Sequence, residues 1–139
     1  MYLTSMKTLI ATLGFLLCAS AAVASDSVVQ SEILLRSSSS WDGTPYQAYP
    51  GAAPEITVVK ITIPPHTELP WHTHPMPNAG YVESGELRVE KKDGGQSKVL
   101  TTGQVLPEMV DSAHRGVTGD QGVVLIVFYA GTKGMPLSQ

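Results

Sequence analysis

The sequence carries two histidines, His72 and His74, at a spacing that suits one metal ion. Side chains two positions apart in a strand point to the same face, so both imidazoles can reach a common point. Asn78 follows the Pro-Met-Pro segment 75–77, and a tight turn there would aim its amide into the same space. Because H-x-H also occurs on solvent-facing strands, a metal site needs support from further ligands.

The N-terminus predicts an export signal. Lys7 precedes an apolar, small-residue stretch over 8–24, and Ala22-Val23-Ala24 fits an A-x-A cleavage site before Ser25. The alternative is a short membrane anchor, but the apolar core is shorter than the ~20 residues that a spanning helix needs. We therefore expect residues 1–24 to be a signal peptide and the protein to be secreted or periplasmic, with no membrane attachment after cleavage.

Composition excludes several classes of function. The single cysteine is Cys18, inside the predicted signal, so the chain after it has no disulfide and no thiolate site. The formal net charge is −3, and no basic cluster is present. Nucleic acid and anionic membrane surfaces are therefore not expected partners.

Beyond residue 24 the sequence predicts short strands and no helix. Segment 86–91 alternates apolar and charged residues, as half-buried antiparallel sheet does, and 123–130 is apolar on both faces. Gly-containing segments 83–85 and 93–95 predict hairpin turns. The predicted strands are 56–63, 69–74, 78–82, 86–91, 97–101, 104–109, 113–118 and 123–129.

Strands of this length and number predict a single all-β domain, a sandwich or barrel. The barrel is expected over 56–130. Residues 25–55 would be an N-terminal arm and linker that packs on the barrel, and residues 131–139 a C-terminal tail.

The histidine segment resembles the first motif of the cupin superfamily, G-x5-H-x-H-x(3,4)-E-x6-G. His72 and His74 fit H-x-H, and Gly85 fits the closing glycine. Two positions depart from the motif: Asn78 stands at the glutamate position, and His66 stands where the leading glycine belongs.

A later segment is similar to the second cupin motif, G-x5-P-x-G-x2-H-x3-N, mainly in its spacing. Gly103 and His114 lie at the required positions. Met109 replaces the proline, Asp111 the second glycine and Thr118 the asparagine. Aspartate tolerates left-handed backbone better than most residues, so Asp111 is an acceptable substitute for glycine.

This resemblance implies a small antiparallel double-stranded β-helix, or jelly-roll barrel, that holds one divalent metal ion through His72, His74 and His114. Fe2+ is favoured, and Zn2+, Mn2+, Ni2+ or Cu2+ are compatible with the same ligands. Cupins with three histidine ligands include cysteine dioxygenases and some diketone-cleaving enzymes, which use iron(II). Family resemblance also allows a homodimer.

The amide at Asn78 is a poor ligand for a hard cation and cannot act as a general base. We expect it to be at most a weak fourth ligand or a substrate contact. An ion held by three neutral imidazoles would then keep its full charge and several open positions. Glu108, on the strand of the second motif, is the reserve carboxylate, the residue that could supply a carboxylate ligand in place of the missing glutamate.

Three functions follow from these features. The leading hypothesis is a metal-dependent dioxygenase acting on a small organic molecule. The second is a non-catalytic cupin that binds a small ligand in the barrel, and the third is a metal-poor accessory protein.

Overall fold

The computed structural model describes residues 28–139, so the predicted signal peptide lies outside the described residues. Glu32–Gln139 form one compact unit. All strand pairs in it are antiparallel and no described residue is helical, which confirms the all-β prediction. The six strands are β1 Pro54–Ile63, β2 Asn78–Lys91, β3 Ser97–Thr101, β4 Val105–Pro107, β5 His114–Val117 and β6 Val123–Thr132.

The long strand β2 belongs to two sheets. Its first half, 78–85, pairs with β6 and β4, and β6 in turn pairs with β1. The second half, 86–91, pairs with β3 and β5. A register shift between Val82 and Ser84 and a positive φ of 86° at Gly85 mark the change from one sheet to the other. Bulges of this kind bend a strand and increase its twist.

Apolar side chains at alternate positions of the strands fill the space that the strands enclose. Every second residue of β6 is buried, and β6 lies between β1 and β2, as its apolar composition suggested. Burying each such aliphatic side chain contributes about 1.5–3 kcal/mol relative to exposure. The core consists of Ile63, Met76, Val82, Leu87, Val89, Leu100, Leu106, Val123, Leu125, Val127 and Tyr129.

Two local predictions are wrong. Residues 83–85 do not form a hairpin, because the chain continues through them as β2. Residues 69–74 do not form a strand. Isolated bridges, Glu68 with Val117 and His72 with His114, pair the chain here with β5 in place of a continuous ladder. Pro70 interrupts it, since proline has no N–H to donate to a ladder.

The segment before β1 is fastened to the barrel by polar contacts. The Trp41 amide donates to the Pro107 carbonyl at 2.9 Å, and the Lys91 ammonium lies 2.6 Å from the Asp42 carboxylate. Burial raises the pKa of Asp42, but hydrogen bonds from Lys91, Ser40 and Thr44 outweigh it and hold that pKa well below its ordinary value. Asp42 is therefore ionised and ties this segment to the end of β2.

The described residues include no helix that is long and apolar enough to cross a membrane.

Gly85 offers a test of how β2 passes between the sheets. A Cβ there would lie 2.0 Å from the Gly122 carbonyl oxygen, whereas Gly94, with a similar φ of 83°, has no atom within 4 Å of that position. We expect Gly94→Ala to lower the free energy of unfolding by about 1 kcal/mol, the cost of left-handed backbone alone. Gly85→Ala should cost about 2–4 kcal/mol, because overpacking adds to that cost.

Urea unfolding followed by circular dichroism measures both values. Equal losses for the two variants would contradict the close approach of β2 to Gly122.

Candidate metal centre

A backbone bridge brings two of the histidines together. His72 and His114 exchange both main-chain N–H···O bonds, each 3.0 Å long, and directly opposed residues project to one face. His74 follows two positions later, and the three ring centroids lie 4.6–5.0 Å apart. One ligand atom from each ring lies within 4.8 Å of the other two. The three histidines are thus placed so that they could bind one metal ion.

Each imidazole is oriented by a carbonyl behind it. Every Nδ1 lies within hydrogen-bonding distance of a main-chain oxygen, and since a carbonyl only accepts, each Nδ1 carries the hydrogen. The acceptors for His72, His74 and His114 are the carbonyls of Pro70, Leu137 and Ser112, at 2.9, 2.7 and 2.8 Å. In the neutral rings every Nε2 therefore carries a lone pair, as metal-ligating histidines require.

The carbonyl behind His74 comes from the end of the described chain. Residues 137–139 run beside the histidine segment, where Thr73 and Gln139 exchange two main-chain hydrogen bonds of 2.9 and 3.0 Å. This pairing holds the Leu137 carbonyl against His74. The last residues of the sequence are thus part of the candidate centre.

The Glu108 carboxylate joins the histidines. Its Oε2 lies 2.9 Å from His114 Nε2 and 3.3 Å from His74 Nε2, and all three side chains are largely buried. Two lone-pair atoms at such distances attract each other only when a cation lies between them. That cation is a proton on a ring nitrogen or a metal ion.

The pKa values favour an ionised carboxylate among the histidines. Burial raises the pKa of Glu108, but hydrogen bonds with His114 and His74 outweigh it and lower that pKa to about 2. Burial lowers the pKa of His74, whereas the bond to Glu108 and its charge raise it above the ordinary value. For His72 burial prevails and the pKa is lowered. An ionised carboxylate beside a neutral His72 attracts a cation.

Asn78 does not share this arrangement. Its side chain is buried, its Nδ2 donates to the Met76 carbonyl at 3.3 Å, and its Oδ1 has no hydrogen-bond partner among the described residues. Glu108 lines the central cavity, and Asn78 is not among the described residues that do. The carboxylate beside the histidines is therefore the one that the sequence offered as a reserve.

The cavity beside the histidines is small and mostly apolar. Its volume is about 60 Å³. The Tyr129 ring packs edge-on against His74 at 5.7 Å, and burial together with the Glu108 charge raises the pKa of Tyr129 to about 12, so its hydroxyl stays protonated. The other walls are Ile61, Ile63, Leu69, Leu87, Val89, Gly116, Leu125 and Val127.

Tyr129 was not singled out by the sequence. Its place on the buried face of β6, in step with Leu125 and Val127, was the signal that could have found it. A larger groove of about 480 Å³ lies between residues 44–52 and 109–112 and is lined by none of the three histidines.

The motif departures have structural explanations. Asp111 has φ 53°, the left-handed conformation expected of a glycine substitute, and exposed His66 has the same value where the motif has glycine. Thr118 is buried, and its hydroxyl donates to the Pro64 carbonyl at 2.6 Å and accepts from the Thr67 amide at 2.9 Å. Thr118 therefore joins the end of β5 to the segment that precedes the histidines.

Comparison with known proteins agrees with this geometry. A family model described as "Cupin domain" matches residues 59–129. None of the curated proteins compared with the sequence matches it.

Solved structures show the same fold. The polyketide cyclase RemF from Streptomyces resistomycificus is 21% identical with a TM-score of 0.54, over 64% of this chain and 61% of the cyclase. An RmlC-like cupin from Shewanella frigidimarina is 29% identical with a TM-score of 0.50, over 58% of this chain and 69% of that one. A protein with a double-stranded β-helix domain from Klebsiella pneumoniae is 23% identical with a TM-score of 0.51, over 60% of this chain and 75% of that one.

Metal-dependent stability tests the histidine cluster. Adding zinc to chelator-treated protein at 100 times the dissociation constant should stabilise it by about 2.7 kcal/mol, since only the folded state presents the site. We expect His114→Ala to abolish this gain, while His66→Ala, which removes an exposed histidine outside the cluster, retains it. Thermal unfolding with and without zinc measures the difference.

An equal zinc response in both variants would show that the stabilising ion binds elsewhere.

Proposed function

Because the chain belongs to the cupin superfamily, whose domain model matches residues 59–129, we propose that it binds one divalent metal ion through His72, His74 and His114. The ion would bind a small organic molecule, which is either a retained ligand or the substrate of a reaction. One observation carries this proposal: three imidazole ligand atoms lie within 4.8 Å of one another, each ring held in the metal-binding tautomer by a carbonyl.

The leading activity is a dioxygenase-type oxidation with iron(II). Iron in this centre would supply the one-electron and dioxygen chemistry that side chains lack. Aliphatic walls from β1, β2 and β6 make the cavity mostly apolar, which suits an apolar gas such as dioxygen. The histidines would hold the ion, and the ionised Glu108 carboxylate adds a negative charge beside it.

Cavity size limits what reaches the ion. A volume of about 60 Å³ is far below the roughly 300–1,000 Å³ of a typical small-molecule pocket. We therefore propose that only the reacting end of the substrate, together with dioxygen, enters between the histidines and the aliphatic wall.

A non-catalytic binding protein is the alternative, and one observation favours it. Glu108 has a pKa of about 2, which makes it a weak base near neutral pH. Retaining a small ligand at the metal needs no such base, whereas several oxidations begin by removing a proton from the substrate.

Dioxygen chemistry is tested with iron(II)-loaded protein. Nitric oxide, a dioxygen surrogate, should give the electron paramagnetic resonance signal of an iron–nitrosyl centre at one per bound iron. A panel of β-diketones and aminothiols should then produce dioxygen uptake at an electrode. His114→Ala should show neither response, and His66→Ala should show both.

Stoichiometric iron without dioxygen uptake for any member of the panel would favour the binding function. Failure to bind iron or zinc at all would refute both versions of the proposal.

Export is proposed from Ala22-Val23-Ala24 and the apolar residues before it. Mass spectrometry of the protein recovered from culture medium or periplasm should give a chain that begins at Ser25. A full-length product that remains with the cell membrane would instead support the anchor.

A further inference from the structure

We infer that Glu108 is the fourth protein ligand of the metal centre. Its carboxylate takes the part that the glutamate of the first cupin motif would have at the position of Asn78, from the opposite side of the β2–β4 ladder. The first cupin motif has its glutamate on the strand that follows H-x-H, and here the residue directly after the neighbouring strand β4 supplies it. This inference rests on the proposed function, because it names a further ligand of the same ion.

The β2–β4 register makes the exchange feasible. Ala79 pairs with Pro107, and the Glu108 amide donates to the Asn78 carbonyl at 3.0 Å, so positions 78 and 108 oppose each other. Opposed residues of an antiparallel pair point to the same face, with Cβ atoms about 4.5–5.5 Å apart. A side chain at either position can therefore reach the same region.

The distances around Glu108 suit a shared ion. Ligand atoms each about 2.1 Å from one ion lie about 3.0 Å apart at a right angle and about 3.4 Å apart at the tetrahedral angle. Glu108 Oε2 lies 2.9 Å from His114 Nε2 and 3.3 Å from His74 Nε2. Both separations fall close to this range, whereas the Asn78 amide contacts neither ring.

The neighbouring residues make room for the carboxylate and fix its position. Gly80 is the next residue on the Asn78 face of β2, and a Cβ there would lie 3.5 Å from Glu108 Oε1, so a longer side chain would compete for its space. The Tyr46 hydroxyl donates to the Glu108 carbonyl at 2.7 Å, which anchors the backbone beyond β4.

The neutral amide at position 78 follows from the same arrangement. A glutamate there would put a second negative charge opposite Glu108 in a largely buried region. Like charges at that distance destabilise each other, and burial strengthens the repulsion. An asparagine fills similar space without the charge.

A carboxylate in the ligand set changes the chemistry expected of three imidazoles alone. The net charge of the centre with a divalent ion falls from +2 to +1, and one fewer position is open. The ion is then held more tightly and is a weaker Lewis acid. The centre expected from Asn78 kept the full charge of the ion and several open positions, whereas a centre with Glu108 has a lower net charge and fewer open positions.

Zinc affinity measured against a chromophoric chelator tests this inference without any enzymatic assay. We expect Glu108→Gln to weaken zinc binding at least about 100-fold, because the isosteric amide removes the charge. Glu83→Gln, on an exposed glutamate of β2 that pairs with Lys60, should leave zinc affinity unchanged. Cobalt(II) in place of zinc should show an altered visible spectrum in Glu108→Gln only.

The exchange itself is tested by the double variant Asn78→Glu with Glu108→Gln, which returns the carboxylate to β2. The double variant should bind zinc at least tenfold more tightly than Glu108→Gln does. It also keeps the test valid if Glu108→Gln alone folds poorly. Equal zinc affinity in Glu108→Gln and wild type, with His114→Ala unable to bind, would overturn the inference and leave the proposed function standing. Absence of zinc binding by the wild type would refute both.

Discussion

Three hydrogen bonds from histidine rings to main-chain carbonyls determine what the centre of this barrel can do. Each bond assigns the ring hydrogen to Nδ1, so three Nε2 lone pairs face one region that also receives the Glu108 carboxylate. Four lone-pair atoms repel one another unless a cation is present. The acceptor carbonyls come from three separate segments, which must all be in place before this arrangement exists. The barrel therefore provides an arrangement that suits a cation, and its loops are as much a part of the candidate site as its strands.

Strand β2 relates this centre to the rest of the molecule. One half of it opposes Glu108 through the ladder with β4, and the other half pairs with β5, which begins at His114. A single continuous strand thus fixes Glu108 and His114 relative to each other through main-chain hydrogen bonds. The bend at Gly85 allows this, because the chain changes sheets there without reversing direction. The relative positions of these two residues therefore depend on the backbone and not on side-chain packing alone.

Local patterns predicted the histidines well and the carboxylate poorly. The H-x-H spacing and the second motif were sufficient to bring His72, His74 and His114 together, because those positions depend on periodicity and on one bridge. Glu108 could not be chosen over Asn78, since the face that it presents depends on the register between β2 and β4. Residues 83–85 have the composition of a hairpin, yet Gly85 uses its left-handed backbone for a bend. Composition identifies a glycine that is needed but not the turn or bend that it makes.

The Leu137 carbonyl orients His74 across 63 residues of chain. A ribosome adding 5–20 residues per second needs about 3–13 s to pass from one to the other. Throughout that interval His72 and His74 have left the peptidyl-transferase centre, but the Leu137 carbonyl that fixes His74 has not been made. A metal ion bound by the growing polypeptide would therefore lack the fixed ligand geometry of the folded chain. For the proposed metal centre, selection among competing metals would therefore rest with the folded barrel, after the Leu137 carbonyl has been added.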